Sequence, residues 1–376
     1  MAFAVLSLAL AALLGFSIHR GSVCMVRGAA EVLSTGRAYM LLSFGKAVLW
    51  VLIVTTPVLW LVPAPGPLDH SWALSGYALA GGFLFGVGAA VNRGCAFSTL
   101  GRLGNGEVGA VLTLGGFAVG AWSYLSAVTW SRLARPEPLP VAYAPLDPGT
   151  AVLVAVLGAW GVWEIVRLWH ARPAGASWIE LVFARSYRLS AAVALIGVAN
   201  GVLYALHGPW TYTRTVNETV MAPMGGDLGP LAFQWVLFVA VVAGAVASAW
   251  QKGTFRLDWR PSRVWIQDFA GGLLMRIGAG MTPGGNDVLV LHSIPQLSAH
   301  AIPAYLAMTA GITVVLIGMR AIRGEYLCRS IVAATPASRD GSRRPRREKR
   351  HSSALSRRRM IGAPVRHHLF STNRVT

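Results

Sequence analysis

The stretch VNRGCAFSTLGRLGNGE, residues 91–107, sets Arg93, Cys95, Arg102 and Glu107 among four glycines between two apolar segments. A second thiol, Cys24, lies in HRGSVCMVRGA at 19–29, and GGLLMRIGAGMTPGGND at 271–287 carries Arg276, Gly284, Gly285 and Asn286. A neutral thiol is a weak S–H donor and a soft acceptor, and arginine supplies fixed positive charge. Glycines such as Gly94 let a backbone turn sharply or approach a ligand closely. A helix that breaks at Gly94-Cys95, with a new helix from near Glu107, aims unpaired N–H groups at a central site, and such N-termini favour anions. Two plainer roles compete: glycines that only permit tight helix packing, and an unpaired cysteine that is a small buried hydrophobe.

The elements that must position these residues follow from composition. Of 376 residues 54% are hydrophobic and 13% charged, against about a quarter charged in a soluble domain. Runs long enough to cross a bilayer occur at 2–18, 40–62, 74–91, 108–130, 150–169, 189–206, 230–250, 265–281 and 300–319, the third and eighth being short. The expectation is an all-α polytopic membrane protein with about nine transmembrane helices. "ALAA" at 9–12 suggests signal-peptide cleavage, but no basic segment precedes the first run, so it is expected to stay as a helix.

Lys and Arg accumulate on the cytoplasmic side of membrane proteins. Here they fill alternate connections: Arg20, Arg27 and Arg37; Arg93 and Arg102; Arg172, Arg185 and Arg188; Lys252, Arg256, Arg260 and Arg263; and the C-terminal tail. Loops 63–73 and 282–299 have none, 131–149 offsets Arg132 and Arg135 with Glu137 and Asp147, and 207–229 has Arg214 alone. An outside N-terminus and a cytoplasmic C-terminus follow, in a cell inner membrane. The net charge of +18 is not a nucleic-acid signature, because residues 339–376 hold 12 Lys/Arg against Asp340 and Glu348. That tail, 335–376, is too poor in apolar residues to fold. It is expected to sit on anionic membrane lipid, with RNA or an acidic protein as the alternative.

GGFLFGVGAAVNRGC at 81–95 aligns without gaps to GGLLMRIGAGMTPGG at 271–285, sharing Gly81/Gly271, Gly88/Gly278 and Gly94/Gly284 among others. By the charge pattern the two copies end on opposite sides. Residues 1–130 and 189–320 are thus expected to be inverted repeats joined by a helix at 150–169, with short re-entrant helices, which is a transporter architecture.

The stretches at 19–29, 86–107 and 271–287 resemble the motif loops of the YeeE/YedE family of sulfur-compound permeases, and the resemblance runs to about residue 320. It implies an hourglass of helices that passes thiosulfate or a related species inward past cysteines near the constriction. The family cysteines fall on Cys24 and Cys95; the third falls on Gly285, beside a matching Asn286, so that thiol is missing. The third-motif arginine falls on Gly280, and Arg276 lies four residues earlier on the same helix face. A neutral thiol can hold a terminal sulfur without trapping it, as conduction requires. The pathway residues so implied are Cys24, Cys95, Arg93, Gly94, Arg276, Gly284, Gly285 and Asn286.

Cys24, Cys95 and Cys328 have no C-x-x-C spacing, so neither a zinc site nor a disulfide framework is indicated. Cys328 is incidental or palmitoylated. Lys46, Glu164 with Arg167, and Asp268 lie in or near spans, where ionisable groups draw attention, though Lys46 and Arg167 are placed to snorkel. His292 and His300 fall in the bare loop. No cofactor, metal or catalytic residue is indicated, and no phosphate-binding G-x-x-x-x-G-K-[ST] occurs. The expected activity is therefore permeation of a small sulfur-containing anion, thiosulfate first. A selenium species or sulfite is the rival substrate. The rival role is a membrane sulfur-transferase subunit that hands a cysteine persulfide to a cytosolic sulfur-carrier protein.

Overall fold

A computed structural model describes residues 2–61, 71–131, 136, 138–139, 148–172, 175, 177–222, 229–259 and 262–323. The basic tail, Cys328 and loop 62–70 lie outside the described residues. The helices run α1 (Ala2–Gly21), α2 (Met25–Thr35), α3 (Tyr39–Leu61), α4 (Gly76–Val91), α5 (Ala96–Gly104), α6 (Val108–Ser131) and α7 (Pro148–His170). After the short α8 (Trp178–Val182) come α9 (Leu189–His207), α10 (Tyr212–Met221), α11 (Gly229–Lys252), α12 (Val264–Met281), α13 (Asn286–Val288) and α14 (Ala301–Arg323). A wider π turn, Leu289–Ser293, extends α13. The two strands, β1 (Ser71–Trp72) and β2 (Pro138–Leu139), pair antiparallel.

Helices dominate because a bilayer offers backbone N–H and C=O groups no partner, so each segment must satisfy its own. The exterior keeps large apolar side chains exposed, Leu42, Trp122, Val152, Val239 and Leu306 among them. In water that would be an aggregation surface; against acyl chains it costs nothing. Among the described residues eight helical segments are long and apolar enough to cross a membrane, not nine. The ninth expected span exists as α12, but Asp268 and Arg276 lower its apolarity. Both charges are buried in protein, so α12 does not need a fully apolar surface.

Helices α9–α14 repeat the order of α1–α6. The contacts repeat with them: α1 packs on α11 as α9 packs on α3, and α12 packs on α6 as α4 packs on α14. The pairs α1–α9 and α4–α12 close the centre. Glycines make the second crossing possible. A Cβ on Gly88 would lie 2.6 Å from Met275 N, and one on Gly278 would lie 2.5 Å from Gly81 O. Here the packing role holds, and these two repeated glycines are helix-crossing residues.

The connections sort onto two faces. On the basic face the main chain of 105–106 pairs with that of 256–258, Arg256 N–H donating to Asn105 O at 2.8 Å, and Arg320 donates to Leu33 O at 3.1 Å. On the bare face the Trp72 N–H donates to Ser298 Oγ at 3.0 Å. Helix α7 docks on α3 through Glu164, which is buried and accepts from Lys46 at 2.8 Å and Arg167 at 2.6 Å. Lys46 and Arg167 therefore pair with a buried carboxylate instead of snorkelling, because leaving Glu164 unpaired would strand a buried charge.

Candidate functional site: a thiol pair between two cationic cavities

Four helix breaks meet at the centre. Cys24, Cys95, Thr211 and Gly285 are the extended residues that precede α2, α5, α10 and α13. At the first two breaks a non-glycine residue takes the left-handed conformation, Ser22 at φ 49° and Arg93 at φ 58°. At the third break Gly208 (φ 74°) supplies it, and at the fourth Pro283 (φ 30°) and Gly284 (φ 148°) both have positive φ. A helix does start beside Glu107, α6 at Val108, but the short α5 comes first and starts at Ala96, directly after the Gly94-Cys95 break.

Hydrogen bonds tie the four N-termini together. The first N–H of α2, on Met25, donates to Cys95 Sγ at 3.3 Å. The first N–H of α5, on Ala96, donates to Asn286 Oδ1 at 3.3 Å. The hydroxyl of Tyr212, first residue of α10, donates to Ala96 O at 2.8 Å. Thr213 donates to Asp287 Oδ2 at 2.6 Å and so links α10 to α13.

The two cysteines, 71 residues apart in the chain, are thus neighbours. Both are free and buried, and Cys24 directly precedes the Met25 N–H that donates to Cys95 Sγ. The surrounding loop is held rigidly. Asn92 Nδ2 donates to Gly94 O at 2.7 Å, Thr113 donates to Asn92 Oδ1 at 2.7 Å, and Arg102 bonds Asp268 and Glu107, both at 2.8 Å. Arg102 is thereby committed to the scaffold.

A cavity opens on either side of this neck. One, of about 230 Å³, lies toward the basic face and is lined by Cys24, Arg27, Arg93, Ser98, Arg102 and Lys252. The other, of about 260 Å³, lies toward the bare face and is lined by Asn217, Arg276, Gly280, Gly284, Gly285 and the Arg214–Glu218 ion pair, closed at 2.6 Å. Either has room for a small hydrated anion, given about 30 Å³ for a water in the liquid. The two are lined with the same spacing: Arg27 follows Cys24 by three residues and Arg214 follows Thr211 by three, and each lines its own cavity.

Of the sequence-derived pathway residues, Cys24, Cys95, Arg93 and Gly94 gather at the first-half breaks, and Gly284, Gly285 and Asn286 at the last one. Arg93 also pairs with Asp268 at 3.2 Å. Arg276 and Gly280 do share a face, and both line the bare-face cavity. The Arg276 guanidinium bonds Asn217 Oδ1 and lies 5.7 Å from the Phe117 ring centroid and 6.0 Å from that of Tyr124. A Cβ on Gly285 would stand 2.7 Å from Asp287 Oδ1 and 3.1 Å from the Phe85 ring. His292 and His300 are buried, and His292 stacks on Tyr204 in the helical continuation of α13, not in a loop.

Sequence reasoning missed α10 and with it Thr211, Tyr212, Thr213, Arg214 and Asn217, and it passed over Asp287. One signal was present: Gly21-x-x-Cys24-x-x-Arg27 and Gly208-x-x-Thr211-x-x-Arg214 have the same spacing.

The chain is 27% identical over 326 residues to the thiosulfate transporter TsuA of Spirochaeta thermophila, an alignment that covers 76% of this chain and 90% of that protein. Residues 20–314, which contain both thiols and all four helix breaks, match the sulphur transport family, and the chain belongs to that family.

Proposed function

We propose that this sulfur-compound transporter takes up thiosulfate across the cell inner membrane through a constriction lined by Cys24 and Cys95. The observation that carries the proposal is the junction of the Cys24 and Cys95 helix starts, where the Met25 N–H donates to Cys95 Sγ at 3.3 Å, with arginines in the cavities on either side. In this reading Arg276 collects the dianion on the bare face, which is external, beside the Arg214–Glu218 pair. The terminal sulfur passes the two neutral S–H groups, which hold it weakly enough to release it. Arg27 and Arg93 receive it on the basic, cytoplasmic face, where a sulfur-carrier protein would consume it. The N-terminus lies outside, and residues 1–130 and 189–320 act as two inverted halves around the neck.

The relative named for thiosulfate supports this substrate. Glycine at position 285 leaves one fewer soft contact, which favours sulfite as the second candidate. Uptake of labelled thiosulfate by proteoliposomes containing only this protein, competed by sulfate, sulfite and selenite, tests the reading. Thiosulfate uptake that sulfate does not compete is the expected result. No uptake, together with a persulfide on Cys24 or Cys95 found by mass spectrometry, would replace the permease with a sulfur-transferase.

A further inference from the structure

Asp287 has no part in the transport path described so far. It is 2% exposed. Thr213 donates to its Oδ2 at 2.6 Å, while Oδ1 has no hydrogen-bond partner. None of the ion pairs among the described residues includes it. Oδ1 reaches to 2.7 Å from where a side chain on Gly285 would begin, so the carboxyl occupies the space that a larger residue there would use. Asp287 also borders a small void of about 20 Å³ that shares Phe97 with the basic-face cavity and Thr211 with the bare-face cavity. Asp287 thus borders the void that shares lining residues with both cavities, two residues after the Gly285 that lines the bare-face one.

Ionised, this group would be a buried anion with no ion-pair partner among the described residues, faced by the Thr213 hydroxyl and the start of α13, and it would repel any dianion entering the neck. Protonated, it keeps the bond from Thr213 on one oxygen and gains an O–H on the other, free to donate to an oxygen of the passing anion. We propose that Asp287 is a proton site of the carrier: it takes a proton from water in the bare-face cavity as the anion enters, donates that O–H to the anion, and releases the proton to the opposite cavity afterwards, so that proton and anion cross together. No covalent bond to sulfur forms or breaks. The inference rests on the neck being an anion path.

The other titratable or charged groups around it are few. Tyr212 and Arg214 come from α10, Cys95 from α5, Arg276 from α12 and His292 from the extension of α13, while α1, α4, α9 and α11 present Leu14, Phe85, Asn200 and Val241.

Two measurements test the proposal. Infrared difference spectra of the purified protein between about pH 8.5 and about pH 5.5, without substrate, should show a buried carboxylic acid band that Asp287→Asn removes. A wild-type protein without that band overturns the proposal. In proteoliposomes, lowering the external pH should raise thiosulfate uptake by up to about tenfold per unit, since the protonated fraction changes by that factor above the pKa, and a lumenal dye should report acidification. Asp287→Asn should give flat uptake without acidification. Equal wild-type uptake at all pH values, or an unchanged response in Asp287→Asn, overturns the proposal. If sulfate is carried with this pH response and thiosulfate is not, the proton site stands and the choice of thiosulfate falls; pH-independent thiosulfate uptake has the reverse meaning.

Discussion

Replacing Arg276 by leucine separates substrate attraction from fold stability. The side chain is 6% exposed on α12, bonded to Asn217 and flanked by the Phe117 and Tyr124 rings. An arginine mid-span costs about 2.5–3.5 kcal/mol on the insertion scale, where leucine is favourable by about 0.3–0.6 kcal/mol. Against that gain stand the lost hydrogen bond and two cation–π contacts, each about 0.5–2 kcal/mol. The terms nearly cancel, and the melting temperature in detergent should hardly move. Attraction does not cancel, because a charge-assisted hydrogen bond is worth about 1.5–3 kcal/mol, or roughly 10- to 150-fold in half-saturating concentration at about 1.4 kcal/mol per decade. Arg276→Lys, which keeps the charge but not the planar fork, should fall between. Concentration-dependent uptake in proteoliposomes is the assay. Wild-type half-saturation in a stable Arg276→Leu protein would refute the reasoning and make Arg276 a packing residue.

If a soft S–H contact lowers the barrier by about 1 kcal/mol, a typical net hydrogen bond, Cys95→Ser should slow thiosulfate uptake several-fold and Cys95→Ala should slow it more. The Ala variant also leaves the Met25 N–H without its acceptor, and wild-type rates in both variants would mark Cys95 as packing. Gly278→Ala places a methyl 2.5 Å from Gly81 O and Phe85 N, backbone atoms that cannot swing aside. It should cost about 1–3 kcal/mol, seen as a lowered melting temperature, and an unchanged melt would mean that the α4–α12 crossing is looser than described. A reporter inserted after Arg263 should read cytoplasmic and one after Leu139 external; opposite readings would reverse the assigned direction of uptake.

The spans were legible because in lipid the backbone constraint and the apolar run coincide. The run 108–130 became Val108–Ser131 and the run 150–169 became Pro148–His170. Helix α10, YTRTVNETVM, was not legible that way. It packs against α6 and α11 rather than lipid, so no apolar run marks it, and only the Gly-x-x-Thr-x-x-Arg spacing betrayed it. The partners of Lys46 and Arg167 were hidden for a different reason. Glu164 joins Lys46 from 118 residues away, and a tertiary ion pair leaves no local trace. The same holds for the thiols, which each motif exposed singly and only the fold brought together.

The four helix starts are alike in backbone and unlike in chemistry. Cys24 and Thr211 occupy equivalent helix starts, as do Cys95 and Gly285, so both thiols belong to the first half. The second half answers with hydroxyls and one carboxyl, Thr211, Thr213 and Asp287. An anion with one soft sulfur and three hard oxygens is itself asymmetric. A neck with S–H donors from one half and O–H donors from the other can hold both ends of such an ion at once. Sulfate, with four equivalent oxygens, would leave the thiol side poorly matched. The discrimination available to a soft contact is small, about 1 kcal/mol for each net hydrogen bond, so preference for thiosulfate over sulfate should reside in the two thiols together. In Cys24→Ala with Cys95→Ala, a competition assay should lose that preference by roughly thirtyfold if both contacts are lost. A preference that survives the double change would move the discrimination to the hydroxyl-and-carboxyl half.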